Sequence, residues 1–129
     1  MPVIVRNALK DHHRRCTPAL VRLRMLMSDA DVVTLTDGLQ VEMALLMDEV
    51  MAELRAADRV LVGQAAQTRR SGPVAAFLGC RLARLEVAAG ESAAAGDAGD
   101  MPAVRRRLRH FCVLAAATWK VQLGVAEFS

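Results

Sequence analysis

An all-α fold, a four-helix antiparallel bundle, is what this 129-residue sequence predicts. Three observations lead there. Apolar residues recur three or four apart through long stretches of Ala, Leu, Val and Met. Proline-marked helix starts punctuate the chain at Thr17-Pro18, Ser71-Gly72-Pro73 and Asp100-Met101-Pro102, where the missing N–H of proline costs nothing. Hydrophobic content is 53%, yet the aromatic residues are only Phe77, Phe111, Phe128 and Trp119. Such composition suits close helix packing better than a sheet sandwich. The expected bundle has two long and two short helices in a single domain, 1–129. Residues 1–16 form an N-terminal arm in this reading.

The elements follow in order. Val3, Ile4 and Val5 suit a short strand or extended arm, and Ala8 to Arg15 a helical stretch. Thr17 caps a first short helix that runs to Met27, with Leu20, Leu23 and Met27 on one face, preferred over the strand that the partial alternation of Val21, Leu23, Met25 and Met27 also allows. Residues 28–36 (SDADVVTLT) hold several cap candidates. Thr36 or Asp37 opens a long helix over about 37–67, whose ladder is Leu39, Met43, Leu46, Met47, Val50, Leu54, Ala57 and Leu61. Gly63 marks a bend in it, or its far end packs on a second copy. Ser71 to about Gly90 forms the third helix, with Val74, Phe77, Leu78, Leu82 and Leu85 in its stripe. Residues 90–99 (GESAAAGDAG) read as a flexible linker. Asp100 caps the last helix, whose stripe is Met101, Val104, Leu108, Phe111, Ala115, Trp119 and Leu123. Gly124 ends it.

The net charge of +3 conceals segregation. Residues 1–27 carry +5, residues 28–58 carry −7 and residues 59–84 carry +5. Residues 85–100 carry −4 and residues 101–129 carry +4. One acidic helix therefore faces basic partners, within the fold or across a dimer. Cys16, Cys80 and Cys112 are odd in number and widely spaced, which implies reduced thiols and a cytoplasmic setting. No run of 18 uncharged apolar residues occurs, so no membrane span is expected. No cofactor signature is present, and whether the chain is an enzyme stays open.

Four groups of residues carry candidate chemistry. His12, His13 and Cys16 lie three and four apart, within reach of one zinc ion if their segment is helical. Cys16 beside either His also has the first two parts of a thiol nucleophile, without a group to orient the base. Arg105, Arg106, Arg107 and Arg109 offer a footprint for an anion or nucleic acid, joined by Arg14, Arg15, Arg69 and Arg70. Met43, Met47 and Met51, in a Met-rich first half, suit a partner groove or an apolar ligand. Arg69, Arg70, His110 and Trp119 are the polar and aromatic residues nearest an interhelical pocket. Inward Glu-x-x-His pairs, the mark of di-iron bundles, are absent.

LTDGLQVEMALLMDEV (35–50) and RRLRHFCVLAAATW (106–119) resemble the two best-marked stretches of a group of short helical actinobacterial proteins. That group is known as a domain of unknown function linked to natural-product biosynthesis. Trp119 stands where its pattern has Tyr, and Thr118 where its closing motif has His. The resemblance implies a helical fold and a bacterial cytoplasmic setting, and it brings no catalytic residues. The leading functional expectation is a homodimeric interaction module that binds a protein partner. The alternative is a small ligand-binding protein or cofactor-free enzyme with an interhelical pocket for an apolar ligand. A nucleic-acid-binding regulator using the Arg105–Arg109 face ranks behind both.

Overall fold

The computed structural model describes residues 2–28 and 35–127. Four helices account for nearly all of them: α1 (Val3–Ser28), α2 (Asp37–Ala66), α3 (Ser71–Asp97) and α4 (Met101–Glu127). At ~1.5 Å per residue each is roughly 40–45 Å long. The helices pack in chain order around a ring, α1 on α2, α2 on α3, α3 on α4, and α4 back on α1. Neighbours run antiparallel. His12 meets Glu53 while Arg22, farther along α1, meets Glu42, earlier on α2. Likewise Arg55 reaches Glu86 while Gln40 abuts Gly96. Across the ring α2 also touches α4, whereas α1 and α3 make no contact among the described residues.

The core follows the predicted stripes. Leu23, Val50, Leu54, Leu85, Val104, Leu108, Phe111 and Ala115 are fully buried and draw on all four helices. A smaller cluster, Leu9, Ala57, Leu61, Leu78 and Ala126, fills the end where α2 turns into α3. Two stripe residues are exposed instead, Phe77 and Leu123.

Side chains close the helix ends. Thr36 Oγ1 accepts from the Leu39 N–H at 3.1 Å, and Asp100 Oδ1 from the Ala103 N–H at 3.1 Å. Each satisfies a first-turn donor. Both described turns use a left-handed residue past the helix end. Gly99 (φ 69°) ends α3, with the Asp100 N–H bonded to the Ala95 carbonyl. Arg69 (φ 59°) ends α2, with the Arg70 N–H bonded to the Ala65 carbonyl. These are Schellman-type closures, which glycine accommodates without strain and arginine does not.

Several expectations need correction. The helices are nearly equal, at 26, 30, 27 and 27 residues, not two long and two short. Residues 1–16 are no arm, because α1 runs unbroken from Val3 through Pro18, which lies inside the helix. Proline removes one ladder bond, but the buried row from Leu9 to Leu26 holds the two halves in line. Residues 90–97 are no linker and belong to α3. Alanine is the strongest helix former and offsets the cost of Gly90 and Gly96. Gly96 is buried against α2, where a Cβ would come 3.4 Å from Gln40 Oε1, close to ordinary contact with the end of a flexible side chain. Neither Gly63 nor Gly124 interrupts its helix. The cap candidates within 29–34 and the residue Phe128 lie outside the described residues.

Two stability outcomes follow. Pro18 is exposed, so Pro18→Ala restores an N–H for the Arg14 carbonyl and should stabilise the bundle by ~1–3 kcal/mol. A urea midpoint that falls or stays put would show that the helix is bent there to advantage. Arg69→Gly should stabilise by roughly 1 kcal/mol through relief of left-handed strain, read as a higher thermal midpoint.

Candidate functional site

Polar groups inside the bundle meet at one residue. Gln122 on α4 is fully buried. Its amide nitrogen donates to the Leu54 carbonyl at 2.8 Å and to Asp58 Oδ1 at 2.7 Å, both on α2. Its oxygen lies 2.6 Å from His13 Nε2 on α1. With the amide nitrogen committed twice, the oxygen must accept, so His13 Nε2 carries the proton. The His13 ring rests on Trp119, centroids 4.4 Å apart. Its Nδ1 is buried with no hydrogen-bond partner among the described residues.

The electrostatics suit neutral partners. Burial lowers the His13 pKa below 6.5, and the His12 charge lowers it further against the Gln122 hydrogen bond. Burial raises the Asp58 pKa, opposed by Gln122 and Arg55. Both shifts disfavour charge in the core. The network ties α1, α2 and α4 together in one register.

The proposed metal ligands do not converge. His13 points inward to Gln122, His12 Nδ1 pairs outward with Glu53 at 2.7 Å, and the Cys16 thiol donates to the Val50 carbonyl at 3.8 Å. Among the described residues, no group of three His, Cys, Asp or Glu is placed to share a metal ion. Cys16 is also a poor nucleophile, because burial, with Glu53 adding to it, pushes its thiol up to about 12.

The other candidates scatter as well. Met43 and Met47 are core residues that also line a cavity of about 200 Å³ between α2 and α3, and Met51 packs against the core, so the three do not form one exposed partner surface. Their spacing is the ladder that α2 buries. The four arginines of the last helix spread around it rather than sharing one face. Arg107 pairs with Glu91 of α3 at 2.7 Å, Arg105 is half-buried, and Arg106 and Arg109 are exposed. The proposed pocket wall is likewise divided. Arg69 is exposed in the turn, Arg70 lines a cavity beside it, His110 lines an α3/α4 groove, and Trp119 sits on His13.

The outer surface is sharply divided in charge. On the α2 face turned from the core, Val41 and Leu45 lie one turn apart, each 58% exposed. Ala52 continues that line. At 3.6 residues per turn, Asp37 and Asp48 border it on one side and Glu49 on the other. All three acids are exposed. A groove of about 550 Å³ between α1 and α4 has the opposite character. Arg24, Arg109 and Lys120 rim it over Met27, Val113 and Ala116. None of those three cations has a carboxylate partner among the described residues.

Sequence reading passed over Gln122, Asp58, Val41 and Leu45. A signal for Gln122 exists, because the buried row of α4 runs Leu108, Phe111, Ala115, Thr118, Gln122, Ala126. Following Trp119 and Leu123 after Ala115 shifts that ladder by one residue onto the more apolar neighbours. Val41 and Leu45 carry no such signal, because an aliphatic residue off the stripe is common on any surface.

Comparison with protein-family models, curated proteins and solved structures gives no match.

The network sets two expectations. Gln122→Leu leaves His13 Nε2 and the Asp58 carboxyl without the amide, takes the second donor from the Leu54 carbonyl, and should cost roughly 3 kcal/mol by urea denaturation. A loss below ~1 kcal/mol would show that water replaces the amide. The pH response has two opposed parts. His13 binds its proton more tightly when unfolded, so stability is lost as pH falls through the unfolded value of 6.5. Asp58 binds its proton more tightly when folded, so acidification below its raised value returns stability. Asp58→Asn should therefore lose stability more steeply than the wild type between pH 7 and pH 4, whereas His13→Asn should flatten the loss.

Proposed function

We propose that this chain is a helical interaction module whose docking surface is the outward face of α2. Its partner is a basic amphipathic helix of another protein. One observation carries this reading: the exposed line Val41, Leu45, Ala52 is bordered on both sides by acids that no described side chain neutralises. Glu42 and Glu53 of the same helix pair with α1, and Asp58 is buried. Asp37, Asp48 and Glu49 remain turned outward. A helix with apolar residues three and four apart and flanking Lys or Arg complements such a face.

A second copy of this chain is a poorer fit. Two α2 faces would set Asp37, Asp48 and Glu49 against their own kind, which is repulsive. The basic α1/α4 groove lies on another side of the bundle, so copies joined α2 to groove would add head to tail without closing as a pair. The homodimer expectation therefore gives way to a different protein as partner. Covering two half-exposed aliphatic side chains contributes on the order of 1–2 kcal/mol each. That scale suits a transient complex with electrostatic steering. Among the described residues, no helix is long and apolar enough to cross a membrane. The three free thiols fit a reducing compartment.

Photo-crosslinking tests this reading. A benzophenone side chain at position 45 should capture one discrete protein in host cells, through a segment rich in Lys and Arg. The equally outward position 87 on α3 should not. Asp48→Lys with Glu49→Lys should abolish the adduct without lowering the thermal midpoint. The same adducts at both positions, or an adduct that survives the charge reversal, would sink the proposal. So would an adduct made only with a second copy of the chain.

A further inference from the structure

The turn from α2 to α3 opens on a cavity of about 460 Å³, far along the bundle from Val41 and Leu45. Ala65, Val74, Phe77, Val121 and Val125 make its walls apolar. That volume lies within the range of small-molecule sites, which combine apolar walls with a few placed polar groups. Phe77 is a large aromatic left 48% exposed, with the Arg81 guanidinium 5.7 Å from its ring. Phe77 is thus one of the large apolar side chains left exposed at this end, with Val3, Ile4 and Leu123, and the one that lines the cavity.

Polar groups gather at one side of the cavity. Gln64 Oε1 lines it and is buried with no hydrogen-bond partner among the described residues. An acceptor left in that state costs free energy until a donor reaches it. Thr68 cannot serve, because its hydroxyl already donates to the Ala65 carbonyl at 3.1 Å. Arg70 stands at the mouth, exposed and without an ion pair among the described residues. The turn folds its backbone onto Ala65, at 2.9 Å from N–H to carbonyl, which brings Arg70 beside the residue next to Gln64. The first turn of α3, which begins there, has neither a capping side chain nor an acid. A negative group at the mouth therefore meets a guanidinium fork, and no carboxylate is among the described residues that line the cavity.

We propose that this cavity binds a medium-chain carboxylic acid with a hydroxyl near its carboxylate. The hydrocarbon chain lies against Val74, Phe77, Val121 and Val125. The carboxylate pairs with the Arg70 guanidinium, and the hydroxyl donates to Gln64 Oε1. A phosphate ester fits worse, because one arginine among aliphatic walls leaves most of a doubly charged group unpaired.

Titration of 3-hydroxydecanoate into the full chain, followed by calorimetry and amide NMR shifts, tests the site. Saturable one-to-one binding is expected, with shifts confined to residues around 64–77 and 121–125. Arg70→Gln removes the charge at an exposed position and should weaken binding roughly tenfold. Gly124 lines the cavity, and a Cβ there meets nothing within 4 Å. Gly124→Leu should therefore fill the space and abolish binding, while its higher helix propensity keeps the thermal midpoint at or above that of the wild type. Decanoate should bind several-fold more weakly than the hydroxy acid, a difference that Gln64→Leu should erase. Absence of saturable binding would overturn the proposal. So would shifts spread over the whole surface, or equal affinity in Arg70→Gln and Gly124→Leu. Equal affinity for decanoate would remove the role given to Gln64. None of these readouts depends on the α2 face, so failure here and failure of the protein-partner reading are separable.

Discussion

The amide of Gln122 constrains this bundle more than any other side chain. It is fully buried and uses its nitrogen twice and its oxygen once, joining α4 to α1 and to α2. Leucine-lined interfaces between equal helices tolerate sliding by a turn, because one aliphatic contact substitutes for another. A buried amide does not, since each unmade bond is a desolvation cost with nothing in return. The register set at His13, Asp58 and Gln122 therefore passes along the helices. It puts Arg22 opposite Glu42 and turns Val41 and Leu45 outward. A His13 side chain in such a core stays neutral, which makes acid a stress on the fold.

Equal helix lengths and tight turns complete the architecture. With α2, α3 and α4 joined by closures of a few residues, each helix must pack against its predecessor in the opposite sense. The two left-handed residues at these turns, Arg69 and Gly99, differ in strain but do the same geometric work. Arg69 falls at the turn that also carries Arg70. The charge segregation resolves partly into exposed cross-helix pairs, Arg22–Glu42, Arg55–Glu86 and Arg107–Glu91. Such pairs contribute about 0–1 kcal/mol each. Among the described residues they leave acids on α2, cations between α1 and α4 and Arg70 at the α2/α3 turn without a carboxylate or cation partner, and these are available for recognition.

Much of the framework was legible. The ladder Met43, Met47, Val50, Leu54, Leu61 is buried as its spacing implies, and Thr36, Ser71 and Asp100 sit at helix starts. Local chemistry sufficed there, because spacing and capping are properties of neighbouring residues. It failed where tertiary packing overrides a local signal. Thr17-Pro18 has the form of a helix start, yet both neighbouring turns are anchored in the same core and the helix runs through. Residues 90–97 have the composition of a linker, yet Ala88, Ser92 and Gly96 form one buried row and α3 runs on through them to Asp97. The same limit applies to the candidate sites. His12 and His13 are adjacent in sequence and point to different helices, so no local rule joins them to Cys16.

By itself, then, the sequence determined an all-helical chain, the faces that must be buried and the segregation of charge. Periodicity and composition act through the hydrophobic effect, which needs no partner to be named. Only the tertiary structure decided which polar residue holds the interior together and which apolar residues stay outside. It alone placed Arg70 beside Gln64 at a cavity mouth. Hydrogen bonds and cavities depend on atoms brought together from distant positions, such as residues 13, 58 and 122. The identity of each residue says what it can bond, and the packing of four helices says what it meets.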